Sequence, residues 1–293
     1  MPEGLVIKAY GGFCFVWMEG KVRKCTLRGK LRTKGLVLAG DKVVVRNLSG
    51  ERGVVEDVKP RRSEMVRPPV ANADQALVVT SFREPSPALN LLDRILVHCE
   101  AAGIRIVICV NKLDLAAPGA ENEAWIETYR GAGYPTLVTS AVTGEGVAAL
   151  REVLARRITV VAGPSGSGKS SLINAVQPGL NLRTGEISPK LQRGRHVTRH
   201  VELLALEGGG WVADTPGFSV LRLEGIDRAE LAGLFPEFGR YAGGCRFTDC
   251  VHYREPDCAV RRAVAGGAVA RFRYAHYLGF LREILVREGK NKL

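Results

Sequence analysis

The chain has 293 residues, a formal net charge of +12 and 46% hydrophobic residues. This length predicts two or three domains, and no apolar run reaches the roughly 18 residues that a membrane-spanning helix needs. The N-terminus lacks the charged start and long apolar core of a signal peptide. We therefore expect a cytoplasmic protein with no membrane partner, whose seven cysteines are thiols or metal ligands rather than disulfides.

The positive charge is concentrated towards the two ends of the chain. Residues 1–62 carry fourteen basic against six acidic side chains, residues 221–293 carry thirteen against nine, and the residues between them are balanced. A polyanionic partner held by the two flanking segments would account for this asymmetry. A solvated basic surface is the alternative.

Residues 1–62 predict a small β-barrel, because five short β-rich runs follow one another with turns between them and no helical stretch. The runs are Leu5–Tyr10, Phe13–Met18, Val22–Leu27, Lys42–Arg46 and Gly53–Val58. An OB-fold fits best, and an SH3-like barrel is the alternative.

Seven basic residues and no acidic one lie between Lys21 and Lys34, close to the aromatic residues of the second run. Bases stacking on those rings would form an RNA-binding surface, although alternating aromatic residues more often face a core.

Residues 63–220 predict an α/β domain with a parallel, doubly wound sheet. Strands and helices alternate from Ala76 onwards, after a linker rich in proline and arginine over residues 60–69. Polar motifs follow several of the strands. Because ligands bind at the carboxyl ends of strands in such sheets, we expect these motifs to form one site.

The strand Ile158–Ala162 leads into a predicted phosphate-binding loop of the pattern Gly-x4-Gly-Lys-Ser. Its glycines would turn backbone N–H groups inward around a pyrophosphate at the N-terminus of a helix. Lys169 would reach the β- and γ-phosphates, and the Ser170 hydroxyl would hold Mg²⁺. A glycine- and serine-rich surface turn is the alternative. The residues expected to bind phosphate are Gly163, Pro164, Ser165, Gly166, Ser167, Gly168, Lys169, Ser170 and Ser171.

Residues 111–114 read Asn-Lys-Leu-Asp and close a strand, which predicts recognition of guanine. The Asp114 carboxylate can accept from guanine N1–H and the 2-amino group, whereas adenine would leave a buried Asp114 unpaired. Asn111 would brace the loop and the stem of Lys112 would cover the base. Backbone N–H groups at Ser140 and Ala141 would meet guanine O6. Each motif alone is more typical of a turn or a cap.

Asp214 and Gly217 belong to an Asp-x-x-Gly motif that follows a later strand. Asp214 would act through Mg²⁺, and the Gly217 amide would sense the γ-phosphate. The phosphate loop comes first in Ras-like GTPases but third here, so the motif order predicts a circularly permuted GTPase that binds GTP or GDP with Mg²⁺. One alternative is an ATPase or nucleotide kinase, which Asp114 argues against. Another is an RNA-anchored scaffold that seldom hydrolyses its nucleotide.

Residues 221–293 predict a mostly helical domain with one structural zinc ion. Three thiolates and one imidazole, from Cys245, Cys250, His252 and Cys258, complete a tetrahedral set and leave no position for a catalytic water. A fortuitous cysteine cluster is the alternative. The basic helical stretch that follows interleaves arginines, Arg273 among them, with aromatic residues. We expect the aromatic stripe to face a core and the outward arginines to be available to RNA.

The basic barrel, the permuted motif order and the Cys-x4-Cys-x-His-x5-Cys pattern together resemble the RsgA family of small ribosomal subunit biogenesis GTPases, over essentially the whole chain. The resemblance implies a bacterial cytoplasmic protein, expected to be a monomer, that binds the maturing small (30S) subunit and its rRNA near the decoding centre. It also implies slow GTP hydrolysis by the protein alone, stimulation by the subunit, and release after hydrolysis.

One segment departs from the family pattern. The family's switch usually reads Gly-Arg-His-Thr-Thr, whereas residues 194–198 read Gly-Arg-His-Val-Thr. Thr198 matches the threonine that coordinates Mg²⁺, but Val197 lacks the first hydroxyl.

Phe218 stands where Ras-like enzymes keep a water-orienting Gln. We therefore expect His196 to position the attacking water, alongside Thr198 and Lys169 as catalytic residues, with packing or RNA contact as its alternative role.

Overall fold

A computed structural model of the chain describes residues 1–29, 31, 36–48, 51–65, 68–120, 123–180, 201–214 and 222–289. The strands are β1 (Glu3–Tyr10), β2 (Phe13–Met18), β3 (Lys21–Leu27), β4 (Lys42–Asn47), β5 (Arg52–Val58), β6 (Glu64–Met65), β7 (Val70–Ala71), β8 (Gln75–Ser81), β9 (Arg105–Asn111), β10 (Thr136–Val138), β11 (Ile158–Ala162), β12 (Glu202–Ala205) and β13 (Trp211–Asp214). The α-helices are α1 (Leu89–Ala101), α2 (Ala124–Ala132), α3 (Val147–Leu154), α4 (Lys169–Val176), α5 (Arg228–Leu231), α6 (Pro236–Ala242), α7 (Ala259–Ala265) and α8 (Arg271–Arg287). No helix in these ranges is long and apolar enough to cross a membrane.

The first five strands close into a barrel. Their order is β1-β2-β3-β5-β4, and β4 returns to pair with β1. Neighbouring strands run antiparallel except β3 and β5, which are parallel. Alternate residues such as Val6, Val16 and Val45 are fully buried in the barrel interior. This closed five-stranded barrel confirms the predicted OB-type fold.

The aromatic residues of β2 point away from the barrel interior, which the intervening residues fill. Phe13 is 37% exposed, and Phe15 stacks on Tyr10 with ring centroids 5.4 Å apart. Trp17 instead packs edge-on against Trp211 of β13 at a centroid distance of 5.7 Å. Phe13 therefore lies on the outside of the barrel, whereas Phe15 and Trp17 pack against the apolar cluster that contains the α/β sheet.

The α/β sheet has the parallel order β10-β9-β8-β11-β13. β12 pairs antiparallel with β13 on one side and with β1 of the barrel on the other, so the two sheets are continuous. Every residue of β8 and of β11 is buried, because helices cover both faces of the sheet. On one face Val78 packs in the cluster that contains Ile95 of α1 and Ile126 of α2. On the other face Leu77 packs with Leu150 of α3 and residues of α4. The sheet is therefore doubly wound, as predicted.

The C-terminal helices form a separate apolar cluster around aromatic residues. Phe235, Phe238, Tyr277 and Phe280 are buried there, so the aromatic stripe of α8 does face a core. Arg273 of the same helix is also buried and is not among the outward arginines.

The Arg273 guanidinium connects three helices. It donates to Asp93 Oδ1 of α1 at 2.5 Å and to both carboxylate oxygens of Glu237 of α6, at 2.7 and 2.9 Å. The Tyr129 hydroxyl of α2 donates to the same Asp93 oxygen at 2.6 Å. His276 Nδ1 lies 2.6 Å from the other oxygen of Asp93. This buried network fastens the C-terminal helices to the α/β sheet.

Replacing Arg273 with Met should lower the free energy of unfolding by about 3–5 kcal/mol, because Asp93 and Glu237 would stay buried without their cation. Urea unfolding measures the effect. Arg282→Met, on the exposed side of the same helix, is the matched control and should change stability by no more than about 0.5 kcal/mol. Equal effects of the two substitutions would show that the buried network does not stabilise the fold.

Candidate functional site

The predicted nucleotide-binding residues that the structure describes gather at one edge of the parallel sheet. β9 ends at Asn111 and β11 ends at Ala162, directly before the phosphate loop. β10 lies beside β9 with Val138 opposite Val110, so the Ser140 segment leaves the sheet at the same edge. This is the carboxyl edge of the strands, where open α/β sheets bind their ligands.

The glycines of the phosphate loop are required by close contacts. Gly163 has φ +140°, and a Cβ there would lie 2.0 Å from the carbonyl oxygen of Val79. Gly168 has φ +86°, and its Cβ would lie 2.4 Å from Asn111 Nδ2. Any side chain at either position would clash with the neighbouring strand end. α4 begins at Lys169, directly after the loop, so its first N–H groups are available to an anion.

The Lys169 ammonium lies over the loop that precedes it. Its Nζ donates to the carbonyl oxygens of Gly163 at 3.0 Å and Pro164 at 2.7 Å. Burial lowers the pKa of Lys169 from its usual value. A polyphosphate beside the ammonium would oppose this shift, because an opposite charge stabilises the charged form.

Asn111 joins the phosphate loop to the segments predicted to recognise the base. It is 1% exposed, and its Nδ2 donates to the carbonyl oxygen of Ser167 at 3.0 Å. Its Oδ1 accepts from Thr139 Oγ1 at 3.2 Å and from the Ala141 N–H at 3.3 Å. One amide thus fixes three segments relative to one another. Thr139 was not identified from the sequence, because no motif marks the residue before Ser140.

Ser140 and Asp114 are hydrogen-bonded to each other. The buried Ser140 hydroxyl donates to Asp114 Oδ1 at 2.5 Å and accepts from the N–H groups of Val142 at 3.2 Å and Thr143 at 3.1 Å. Asp114 lies in a short 3₁₀ helix, Leu113–Leu115, and is exposed. The expectation of a buried Asp114 is therefore wrong. The penalty against adenine can act only once a bound base covers the carboxylate.

The two backbone donors predicted for guanine O6 are both hydrogen-bonded within the protein. The Ser140 N–H donates to the Glu145 carbonyl oxygen at 2.9 Å. The Ala141 N–H donates to Asn111 Oδ1 at the longer distance of 3.3 Å. The hydrogen bond of the Ala141 N–H is the weaker of the two, so this group is the better candidate to donate to a ligand oxygen instead.

A loop that the sequence did not single out forms a wall of this site. It follows β8, and the Ser81 hydroxyl donates to the Pro85 carbonyl oxygen at 2.8 Å. The Lys112 ammonium donates to the carbonyl oxygen of Glu84, and Pro85 Cδ lies 3.3 Å from the place of a Cβ on Gly166. The loop therefore contacts both predicted motifs. Its only sequence signal is a proline, which indicates a turn but no ligand.

Most of the predicted switch residues lie in parts of the chain that the structure does not describe. His196, Thr198 and Gly217 lie outside the residues that the structure describes. The backbone of Asp214 ends β13, where Ala213 pairs in register with Val160 of β11. The chain therefore enters the switch at the carboxyl edge of the sheet, beside the strand that leads into the phosphate loop.

The four predicted zinc ligands form one cluster. Their ligand atoms all lie within 4.8 Å of one another. His252 Nδ1 is 3.6, 3.3 and 3.4 Å from the sulfurs of Cys245, Cys250 and Cys258. A tetrahedral zinc with bonds of about 2.3 Å to sulfur and about 2.0 Å to nitrogen gives ligand separations of about 3.5–3.8 Å. The cluster therefore fits a closed zinc site.

The surrounding residues fix the ligands. The Tyr274 hydroxyl donates to the His252 carbonyl oxygen at 2.7 Å, and Cys258 Sγ accepts from the Arg261 N–H at 3.5 Å, at the start of α7. The Glu255 carboxylate accepts N–H bonds from both sides of His252. Burial lowers the pKa of His252, which favours the neutral ring that binds metal.

Comparison with known proteins agrees with this geometry. The RsgA N-terminal domain model matches residues 3–55, and the RsgA GTPase model matches residues 58–224. The chain is 50% identical to the small ribosomal subunit biogenesis GTPase RsgA of Moorella thermoacetica over 287 residues, 98% of each chain. It is similar to the crystal structure of YjeQ from Thermotoga maritima, with a TM-score of 0.84, 35% identity, and coverage of 97% of this chain and 98% of that one. It is also similar to YloQ, described as a circularly permuted GTPase, with a TM-score of 0.81, 38% identity, and coverage of 98% and 96%.

Metal analysis of the purified protein should find one zinc ion per chain, and Cys250→Ser should lose it. Because a structural metal contributes its binding energy to folding, the variant should unfold the C-terminal helices at lower temperature while still binding nucleotide. Cys14→Ala, which removes a buried thiol of the barrel, is the control and should keep the zinc. A wild-type protein without zinc would rule out this assignment.

Proposed function

The chain belongs to the family of small ribosomal subunit biogenesis GTPases, and we propose that it binds the maturing small ribosomal subunit and hydrolyses GTP to GDP and phosphate there. The subunit stimulates this hydrolysis, and the protein leaves the subunit afterwards. The observation that carries the proposal is the pair of hydrogen bonds by which Asn111 joins the phosphate loop at Ser167 to the Ala141 segment. They support the proposal because they hold the segment predicted to bind phosphate beside the segment predicted to bind the base.

The proposed division of labour follows the three parts of the chain. Residues 1–62 bind rRNA, residues 63–220 bind and hydrolyse GTP, and residues 221–293 carry the zinc and contact the subunit. Apolar clusters centred on the barrel, the sheet and the C-terminal helices support this division. Ile7 of β1 belongs to a cluster of the sheet, and Val97 of α1 belongs to the C-terminal cluster, so the parts also pack against one another. We propose that the protein acts in the cytoplasm, because its proposed partner is a cytoplasmic particle, and that it acts as a monomer.

The proposed phosphate site consists of the loop and the start of α4. Backbone N–H groups of residues 163–171 bind the phosphates, and the Lys169 ammonium exchanges its loop carbonyls for β- and γ-phosphate oxygens. Ser170 and Thr198 hold Mg²⁺, which neutralises charge on the phosphates, and Asp214 acts through the same ion. The Gly217 amide contacts the γ-phosphate.

The proposed base site consists of Asp114, Ala141 and the stem of Lys112. The Asp114 carboxylate accepts from N1–H and the 2-amino group of guanine, and the hydrogen bond from the Ser140 hydroxyl to Asp114 Oδ1 orients the carboxylate. The Ala141 N–H donates to O6. Because Asn111 is bonded to both segments, it positions the base relative to the phosphates without touching either.

Asp114→Asn should weaken GTP binding by at least about 2 kcal/mol, because an amide N–H would face the guanine donors. The Asn oxygen can still accept from Ser140, so the fold should be preserved. Xanthosine triphosphate is the matched ligand, since its C2 oxygen accepts where guanine donates, and its affinity should rise in the variant. Titration calorimetry measures both affinities, and an unchanged preference for GTP would exclude this base site. ATP that competes equally with GTP for the wild type would favour an ATPase.

His196→Ala should abolish most of the stimulated hydrolysis, because Phe218 has no polar group to orient the attacking water and the imidazole takes that role. Stimulated GTPases gain about 10³- to 10⁵-fold over basal rates, so the loss is measurable in single-turnover hydrolysis at saturating small subunits. GTP affinity and the basal rate should stay nearly intact. Full stimulation in the variant would show that another residue or the ribosome orients the water. Loss of subunit binding would show that His196 contacts the RNA of the subunit instead.

The function as a whole is tested by pelleting the protein with isolated 30S, 50S and 70S particles, with GDP or a non-hydrolysable GTP analogue. We expect binding to the 30S particle with the analogue and weaker binding with GDP. Turnover measured with and without the 30S particle distinguishes a stimulated GTPase from a scaffold that retains its nucleotide. Equal binding in both nucleotide states and no stimulation would support the scaffold.

A further inference from the structure

A cleft of about 550 Å³ lies between the barrel and the α/β sheet, away from the nucleotide site. Its walls include Lys42 of β4, Arg62 of the connecting segment, and Arg156 and Arg157, which precede β11. Ile158 and Trp211, the first residues of β11 and β13, form its floor. The cleft is therefore at the amino edge of the parallel strands, opposite the phosphate loop. The five residues of β11, at about 3.3 Å each, separate the two sites by roughly 16 Å.

The two carboxylates that line the cleft are already paired. Glu3 accepts from the Lys59 ammonium at 2.9 Å. Asp74 accepts from Arg62 Nη2 at 3.0 Å and from the Ile158 N–H at 2.8 Å. The acidic groups of the lining are therefore balanced by Lys59 and Arg62.

The lining contains three further cations, beyond the Arg62 that pairs with Asp74. Lys42 and Arg156 are exposed and Arg157 is partly exposed. None of the three forms an ion pair with a carboxylate within the part of the chain that the structure describes. Among the described residues, the Arg157 Nη1 donates to the carbonyl oxygen of Val153 at 2.8 Å rather than to a carboxylate. Four cations against two carboxylates give the lining a net positive charge, which attracts an anion into the cleft.

We propose that this cleft binds the phosphodiester backbone of RNA, as a contact separate from the nucleotide site. Its cations come from both walls, so they can bind successive phosphates of one strand that runs between the barrel and the sheet. The guanidinium groups of Arg156 and Arg157 suit phosphate oxygens, because their planar donors bind two oxygens at once. The inference rests on the proposed function only in taking the RNA of the small subunit as the physiological partner.

The test is the salt dependence of RNA binding by Arg156→Gln/Arg157→Gln in the full-length protein. Each phosphate contact contributes about 0.7–0.9 to the slope of log K against log salt, so the slope should become shallower by about 1.5. Binding is measured between about 50 and 200 mM salt, both to a synthetic RNA hairpin and to isolated small subunits. Affinity for GDP should not change, because neither arginine touches the nucleotide site.

Two further variants separate charge from structure. Arg156→Lys/Arg157→Lys keeps the charges, loses the guanidinium geometry and should keep most of the slope. Arg105→Gln/Arg151→Gln removes two exposed charges from the α/β domain, outside the lining of the cleft, and should leave the slope unchanged. An equal loss of slope in this control would overturn the proposal, because the effect would then be one of net charge.

The remaining outcomes are distinct. If the wild type binds small subunits and the cleft variant keeps its full slope with both probes, the cleft is not an RNA surface. If the wild type fails to bind subunits, the proposed function fails, and the hairpin still tests the cleft. Saturable binding of inorganic tripolyphosphate to the GDP-loaded protein, lost in the cleft variant while the RNA slope is unchanged, would identify a small-anion site and overturn the proposal.

Discussion

The proposed nucleotide site depends on the side-chain amide of Asn111, which is buried at the end of a central strand and has a partner for both its donor and its acceptor. A buried amide without partners costs more than a hydrogen bond contributes, so the two segments that satisfy it, at Ser167 and at residues 139–141, are held at fixed distances from Asn111. The parallel sheet supplies the position, because β9 and β11 end at one edge. The glycines at 163 and 168 then allow the phosphate loop to approach that edge closely.

A second polar group, the guanidinium of Arg273, determines how the C-terminal helices lie against the sheet. It is buried with Asp93 and Glu237 and stacks within 4.7 Å of the Phe235 ring centroid. A buried cation tolerates only the geometry that pairs it, so the contact specifies one arrangement of α8 against α1. The same helix supports the metal cluster through Tyr274. The metal cluster and the GTPase sheet are thus connected through one helix.

The permuted order of the motifs also connects the α/β sheet to the C-terminal helices through the chain itself. The chain re-enters the described part of the structure at residue 222, shortly after the switch, and is held there by α8. Arg287 donates to the carbonyl oxygens of Leu223 and Ile226, and the Glu283 carboxylate accepts from the Leu223 N–H at 3.4 Å. Glu283 also pairs with Arg94 of α1 at 2.7 Å. The described chain that follows the predicted switch is therefore bonded directly to the C-terminal helix.

The sequence by itself determined the barrel, the doubly wound sheet, the phosphate loop and the Cys3His set, because each depends on local periodicity or on fixed spacing of residue types. Only the tertiary structure decided which polar groups are buried and what they contact. It exposed Asp114, buried Arg273, engaged the Ser140 N–H with Glu145 and brought the Glu84 loop to Lys112. These contacts join residues from different elements of the fold. Burial and long-range pairing depend on how helices and strands pack, and no pattern within one segment contains that information.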